Sequence, residues 1–198
     1  GHYTPAQRNA ELAAALPERA HLIVDEALVQ FQDAEEVDAV LRLTDAFPRL
    51  LVVRTFSKVY GLSGLRTGYA VGPTGSAKLL DGISPVLGVN ALSQSAVAHA
   101  LKIGGGEIAR RRDAVIRERA RLMDGLSSLP VTAEPSQANF VWLSAEGMTG
   151  LALANALREE NVVVAPGGPL GDDEHVRATV RDAAATDRLL AALQAALA

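Results

Sequence analysis

Residues 50–58, LLVVRTFSK, decide how the chain is read. LLVVRTF is a short, continuous apolar run, the pattern of a strand buried in a parallel sheet. Residues 21–25, HLIVD, form a second such run and end in a carboxylate. Between the two, residues 35–47 (EEVDAVLRLTDAF) return to helical period. Strand, helix, strand makes a right-handed crossover if both strands share one sheet. Sheets of that kind place their chemistry just beyond the carboxyl ends of the strands. Asp25 and Ser57-Lys58 stand at those ends.

Working outward, residues 5–16 carry a helical pattern, with Pro5 suited to a first turn. Residues 61–68 (GLSGLRTG) hold three glycines and predict a tight loop, and residues 69–72 (YAVG) predict a further strand. Helical patterns follow at 74–82, 90–103 and 107–128. Beyond Pro130 come short strands at 131–133, 138–143, 161–165 and 175–180, with helices at 147–159 and 184–197. The expected fold class is α/β. Residues 1–90 belong to a large, mostly parallel-sheet domain, residues 91–125 are connecting helices, and residues 126–198 form a smaller α+β domain.

The chain has 198 residues, 48% of them hydrophobic and 21% charged, a profile typical of an ordinary soluble globular protein. A net charge of −4 gives no reason to expect nucleic acid or an anionic membrane as partner. No apolar run approaches the roughly 20 residues of a membrane-spanning helix. Cysteine is absent, which excludes disulfides and thiolate chemistry and fits a cytoplasmic protein. The four histidines show no metal-ligand spacing. The arginine run from Arg110 to Arg121 is interleaved with Glu107, Asp113 and Glu118 at helical spacing, which suggests ion pairs on a solvated face.

Only three lysines occur. Lys78 and Lys102 fall on helical segments among alanines and leucines and read as solvated. Lys58 follows a buried strand and a serine, and precedes the glycine-rich loop that carries Arg66. A lysine that must form an imine has to sit at a strand end in a partly desolvated, cation-rich pocket. Burial and nearby positive charge then lower its pKa and free the amine as a nucleophile.

Residues 54–69, RTFSKVYGLSGLRTGY, resemble the S-K-x-x-G-L-x-G-L-R-x-G-Y signature of fold-type-I aminotransferases, in particular the histidinol-phosphate aminotransferase branch. Asp25-Glu26-Ala27 is similar to that family's D-E-A-Y motif, residues 135–140 (PSQANF) to its S-x-A-N-F strand, and residues 176–180 (VRATV) to its carboxylate-binding arginine strand. The four motifs stand in family order along nearly the whole chain.

The resemblance implies pyridoxal 5′-phosphate as cofactor, held as a Schiff base on Lys58. Asp25 would face the pyridine nitrogen and keep the ring protonated. Ser57 and Arg66 would grip the phosphate, Arg66 with a planar fork that matches its oxygens. For Ser57 a simple turn role stays open. Once released by substrate, Lys58 would shuttle the proton between Cα and C4′. Arg177 would bind the substrate α-carboxylate. Asn139 would sit in the same pocket, although a structural hydrogen bond explains it as well. Tyr60 and Tyr69 read as packing residues. The implied reaction is amino transfer between an amino acid or phosphorylated amino compound and a 2-oxo acid, in a homodimer.

The pattern also departs from the family. The tyrosine after D-E-A is Leu28, and leucine cannot donate a hydrogen bond to the cofactor's phenolic oxygen. Arg181 stands where the family usually has glycine. The family's proteins are about twice this long, so an N-terminal half is expected, and Gly1 fits the last residue of the family's N-P-x-G turn. Decarboxylation of a phosphorylated amino acid on the same scaffold, or an interaction module without catalysis, are the alternative readings.

Overall fold

Contacts divide the chain into two compact units in the computed structural model, which describes residues 3–84 and 88–197. One unit is Thr4–Arg111, and the other joins Tyr3 to the residues from Arg112 onward. Gly1, read above as the end of a turn, lies outside the described residues.

The first unit holds α1 (Ala6–Ala15), β1 (Leu22–Asp25), α2 (Ala39–Arg42), β2 (Leu50–Thr55), β3 (Gly68–Val71), α3 (Ala77–Ile83), α4 (Ala91–Ile103) and the start of α5 (Gly105–Leu126). Its sheet has the order β1-β2-β3. β1 runs parallel to β2 with Leu22 opposite Leu50 and Asp25 opposite Val53, so the crossover is present. β3 is antiparallel to β2, with Gly68 opposite Thr55. Alternation along the strands sends Leu22, Val24, Leu50 and Val52 to one face, where they pack with Val40, Ala6, Leu41 and Phe47. The opposite face carries Ile23, Asp25, Leu51, Val53 and Ala70, of which Leu51 is buried. Ile23 is 58% exposed, and Asp25 and Ala70 are exposed too. β1 is therefore half-buried rather than enclosed on both sides as its composition predicts.

The helix expected over 35–47 is much shorter. α2 has four residues and tightens into a 3₁₀ turn at Leu43–Asp45. The preceding segment makes other bonds. The Gln32 side chain accepts from the amides of Ala34 and Glu35. The Glu35 carboxylate caps the amide of Ala6. The Val37 carbonyl and the Asp38 carboxylate are both taken by Arg54. These tertiary partners outweigh the modest helical propensity of the stretch.

The second unit contains the rest of α5, then β4 (Val131–Glu134), β5 (Phe140–Ala145), α6 (Gly150–Glu159), β6 (Ala165–Pro166), β7 (Val176–Thr179) and α7 (Ala183–Ala196). Its sheet order is β4-β5-β7-β6, antiparallel throughout. Val141, Leu143, Val176 and Ala178 project from one sheet face into a core shared with Leu122 and Leu126 of α5, Leu153 and Leu157 of α6, and Leu189 and Leu193 of α7. Each fully buried leucine contributes about 1.5–3 kcal/mol of apolar burial. The strand expected at 161–165 shrinks to two residues. Asn161 takes a left-handed backbone (φ 60°) and the Val162 amide bonds back to Leu157, so the chain is still leaving α6 there.

Candidate active site

Asp25 is the last residue of β1, and Ser57-Lys58 follow β2 by two residues, so both lie at the carboxyl ends of adjacent parallel strands. One Asp25 oxygen, Oδ1, accepts the Ala27 amide at 2.9 Å, which folds the chain over the strand end. The Ser57 amide donates to Thr55 Oγ1 at 3.0 Å, leaving the Ser57 hydroxyl without a partner among the described residues. Lys58 is exposed, and its amine makes no ion pair or hydrogen bond among the described residues. Lys58 is thus not desolvated as expected, and Asp25 on the neighbouring strand end is exposed as well. Arg66 closes the glycine-rich loop in a left-handed conformation (φ 50°) and donates Nη1 to the Ser63 carbonyl at 3.0 Å. No described carboxylate pairs with it. A free amine, a free hydroxyl and an unpaired guanidinium on one short loop form a donor set suited to an anionic, aldehyde-bearing ligand. Among the described residues there is no cluster able to hold a metal ion.

The two strand ends are fastened from beneath. Arg54 donates Nε to Glu26 Oε2 at 2.8 Å and Nη1 to Asp38 Oδ1 at 2.8 Å, with Nη2 reaching the Val37 carbonyl. Arg54 and Glu26 are both buried. Burial raises the Glu26 carboxyl above its ordinary value, against the lowering effect of the Arg54 hydrogen bond. Burial opposes charge on Arg54 as well, but the bonds to Asp38 and Glu26 hold it more basic than usual. Since Glu26 adjoins Asp25 and Arg54 lies four residues before Lys58, the pair fixes where those side chains start. Phe56 anchors the loop from the other side, packing edge-on against Tyr60 with ring centroids 5.0 Å apart and against Tyr69 at 5.5 Å. Both tyrosines therefore pack, as expected.

Asn139 and Arg177 belong to the second unit. Asn139 precedes β5 and is half-buried, and its carbonyl accepts the Val180 amide at 2.9 Å. Arg177 stands on β7 opposite Trp142 and Ala165. Its guanidinium carbon lies 5.6 Å from the centre of the Phe140 ring, and it has no ion-pair partner among the described residues. Nearby, Asp172 accepts from Trp142 Nε1 at 3.1 Å and contacts His175 Nδ1 at 2.9 Å. The His175 contact holds the Asp172 carboxyl below its ordinary value.

Three residues that shape these regions escaped the sequence reading. The Glu26–Arg54 pair was signalled only by a charge in step with Leu50 and Val52 on the buried face of β2. Arg119 was placed on a solvated face, yet it is buried and donates to the Ala138 carbonyl at 3.0 Å. Its signal was its spacing, since Val115, Arg119, Leu122 and Leu126 form one helical stripe. Elsewhere in the run Arg110 and Arg111 pair with Glu107 and Arg121 pairs with Glu118, as expected.

The family model for aminotransferase class I and II matches residues 1–193. An aromatic amino acid aminotransferase of Corynebacterium jeikeium is 40% identical over 193 residues, covering 94% of this chain and 50% of the relative. A histidinol-phosphate aminotransferase of an Anaeromyxobacter species is 36% identical over 179 residues, covering 90% and 49%. The crystal structure of histidinol-phosphate aminotransferase from Sinorhizobium meliloti in complex with pyridoxal 5′-phosphate superposes with a TM-score of 0.80 at 28% identity, covering all of this chain and 54% of that one. The chain spans about half the length of the curated relatives it matches. The strand-end lysine and aspartate, the glycine-rich loop and the matched relatives lead to one assignment: the chain belongs to the class I and II aminotransferase family.

Proposed function

We propose that this chain carries the lysine-bearing part of a pyridoxal-phosphate-dependent aminotransferase. The observation that carries the reading is Lys58, an unpaired amine one residue after Ser57 and at the end of the strand beside Asp25. The donor set fits the cofactor, with Lys58 for covalent attachment, Ser57 and Arg66 for its phosphate and Asp25 for its ring nitrogen. Bound there, pyridoxal phosphate supplies a sink for the electrons released when a bond to the substrate α-carbon breaks. Asp25 keeps a proton on the ring nitrogen. Lys58 would take and return the substrate α-proton as a general base and acid. Arg177 binds the substrate carboxylate with its fork, and Asn139 contributes a polar contact. The substrates are an amino acid, or a phosphorylated amino compound, and a 2-oxo acid.

The remaining part of the site belongs to the half of the family's length that this chain does not span, and the protein works as a cytoplasmic homodimer. The exposed Ile23 and Ala70 on the Asp25 face support this, since apolar strand side chains are normally covered.

The test is a half-reaction. The chain is loaded with pyridoxal phosphate, mixed with an amino acid, and assayed for 2-oxo acid. Because part of the site lies outside this chain, we expect 2-oxo acid to form only slowly, and Lys58→Ala to lower even that rate by at least about 100-fold, the usual weight of a positioned acid–base group. Carbon dioxide without 2-oxo acid would transfer the assignment to decarboxylation. Neither product would overturn catalysis by this chain.

A further inference from the structure

We propose that Arg111 is a positioning residue for Lys58, acting through the backbone of the turn on which Lys58 stands. The inference rests on the reading of Lys58 as the cofactor lysine. The Lys58 side chain has no described partner, so only its backbone can be steered. That backbone is a closed turn. The Gly61 amide donates to the Lys58 carbonyl at 2.9 Å, and the Leu62 amide donates to the Phe56 carbonyl at 2.9 Å. Within the turn Val59 is buried, 1% exposed, which pins one side. Its carbonyl would otherwise be a loose end. Arg111 Nη1 takes it at 3.1 Å, from 52 residues away in sequence.

Arg111 is itself oriented. Its Nε donates to Glu107 Oε1 at 2.8 Å, one helical turn back on α5, and Arg110 occupies the same carboxylate. Those two arginines hold the Glu107 carboxyl down at about 2, so the brace stays ionised across neutral pH. The turn leaves room for the guanidinium. Gly61 has φ +74°, and a Cβ there would come within 2.9 Å of Arg111 Nη1. A side chain at position 61 would be strained and would also collide with Arg111. Chain reversal, buried valine, glycine and distant arginine thus converge on one carbonyl adjacent to Lys58.

The test compares wild type with Arg111→Met, Arg111→Lys and Glu107→Gln, all at exposed or half-exposed helix positions. Two readouts are taken. The first is amide hydrogen exchange at Gly61 and Leu62 in the cofactor-free chain, with Val141 and Val176 as internal references. The second is the yield of borohydride-trapped pyridoxal phosphate on the Lys58 peptide at fixed cofactor concentration. In Arg111→Met we expect exchange at Gly61 and Leu62 to rise roughly 3–10-fold, the weight of one net hydrogen bond, with the references unchanged. We expect the Lys58 adduct to fall in parallel, Arg111→Lys to restore both in part, and Glu107→Gln to lie between. Unchanged exchange in Arg111→Met overturns the proposal. So does faster exchange with an unchanged adduct, which would make Arg111 structural only. No adduct in the wild-type chain would remove the cofactor reading and the clamp's purpose with it, whereas a wild-type adduct indifferent to Arg111→Met would remove the clamp alone.

Discussion

Leu28 follows Asp25-Glu26-Ala27 at the head of a 3₁₀ turn, Val29–Phe31, and is half-buried there. A tyrosine at that position would offer a hydroxyl to the cofactor's phenolic oxygen and favour the unprotonated lysine linkage. Leucine offers nothing, so Leu28→Tyr should lower the midpoint of the spectral pH titration of the cofactor-loaded chain. A midpoint left in place would sink the idea. Asp172 makes a second residue-level prediction. Its carboxyl is held below its ordinary value, first by His175. A depressed carboxylate contributes stability that is present above its unfolded value and lost as pH falls through its folded one. Trp142 is the chain's only tryptophan and donates to Asp172, so its fluorescence reports the contact. An acid transition confined below about pH 4 is expected, given an unfolded aspartate near 3.9. It should vanish in Asp172→Asn, and a transition that survives that substitution counts against the assignment. That Asp25 and Ser57-Lys58 stand at the ends of neighbouring strands was legible in sequence, because apolar period fixes where the strands run. Arg119 and Glu26 were not, because burial of a charge depends on a partner distant in sequence.

The tie between β1 and β2 is the element whose loss should cost most. Arg54→Met leaves Glu26 buried with no guanidinium, and breaking a buried pair in that way costs about 3–5 kcal/mol. Urea unfolding at pH 7 measures it, and a loss below about 1 kcal/mol would contradict the account. The sign of the pH dependence follows from Glu26. Its folded pKa is raised by burial, so its protonated form favours the folded state below the unfolded value, and that advantage is lost as pH rises through the folded one. Without Arg54 the carboxyl rises further, so the penalty should be smaller at pH 4.5 than at pH 7. Strand and helix positions were mostly readable from period, since local apolar spacing sets them. The segment 35–47 was not. Its backbone and carboxylates are claimed by Arg54 and Ala6, partners that no local pattern reveals.

At the scale of the molecule, the second unit owns a continuous apolar core, while the first packs its β1 edge on one face only and leaves Ile23 and Asp25 exposed on the other. That contrast was not legible in sequence, because composition cannot say which face of a strand is covered. Ile23→Ser should change the stability of the 198-residue chain by no more than about 0.5 kcal/mol, as for an ordinary exposed position. A larger loss in thermal or urea unfolding would mean that the face is already covered in solution, for instance by a second copy. The central claim concerns Lys58, and one measurement addresses it directly. The chain is saturated with pyridoxal phosphate, reduced with borohydride, digested and read by mass spectrometry. A phosphopyridoxyl group is expected on the Lys58 peptide and none above background on Lys78 or Lys102. No label at Lys58, or equal label on all three lysines, would contradict it.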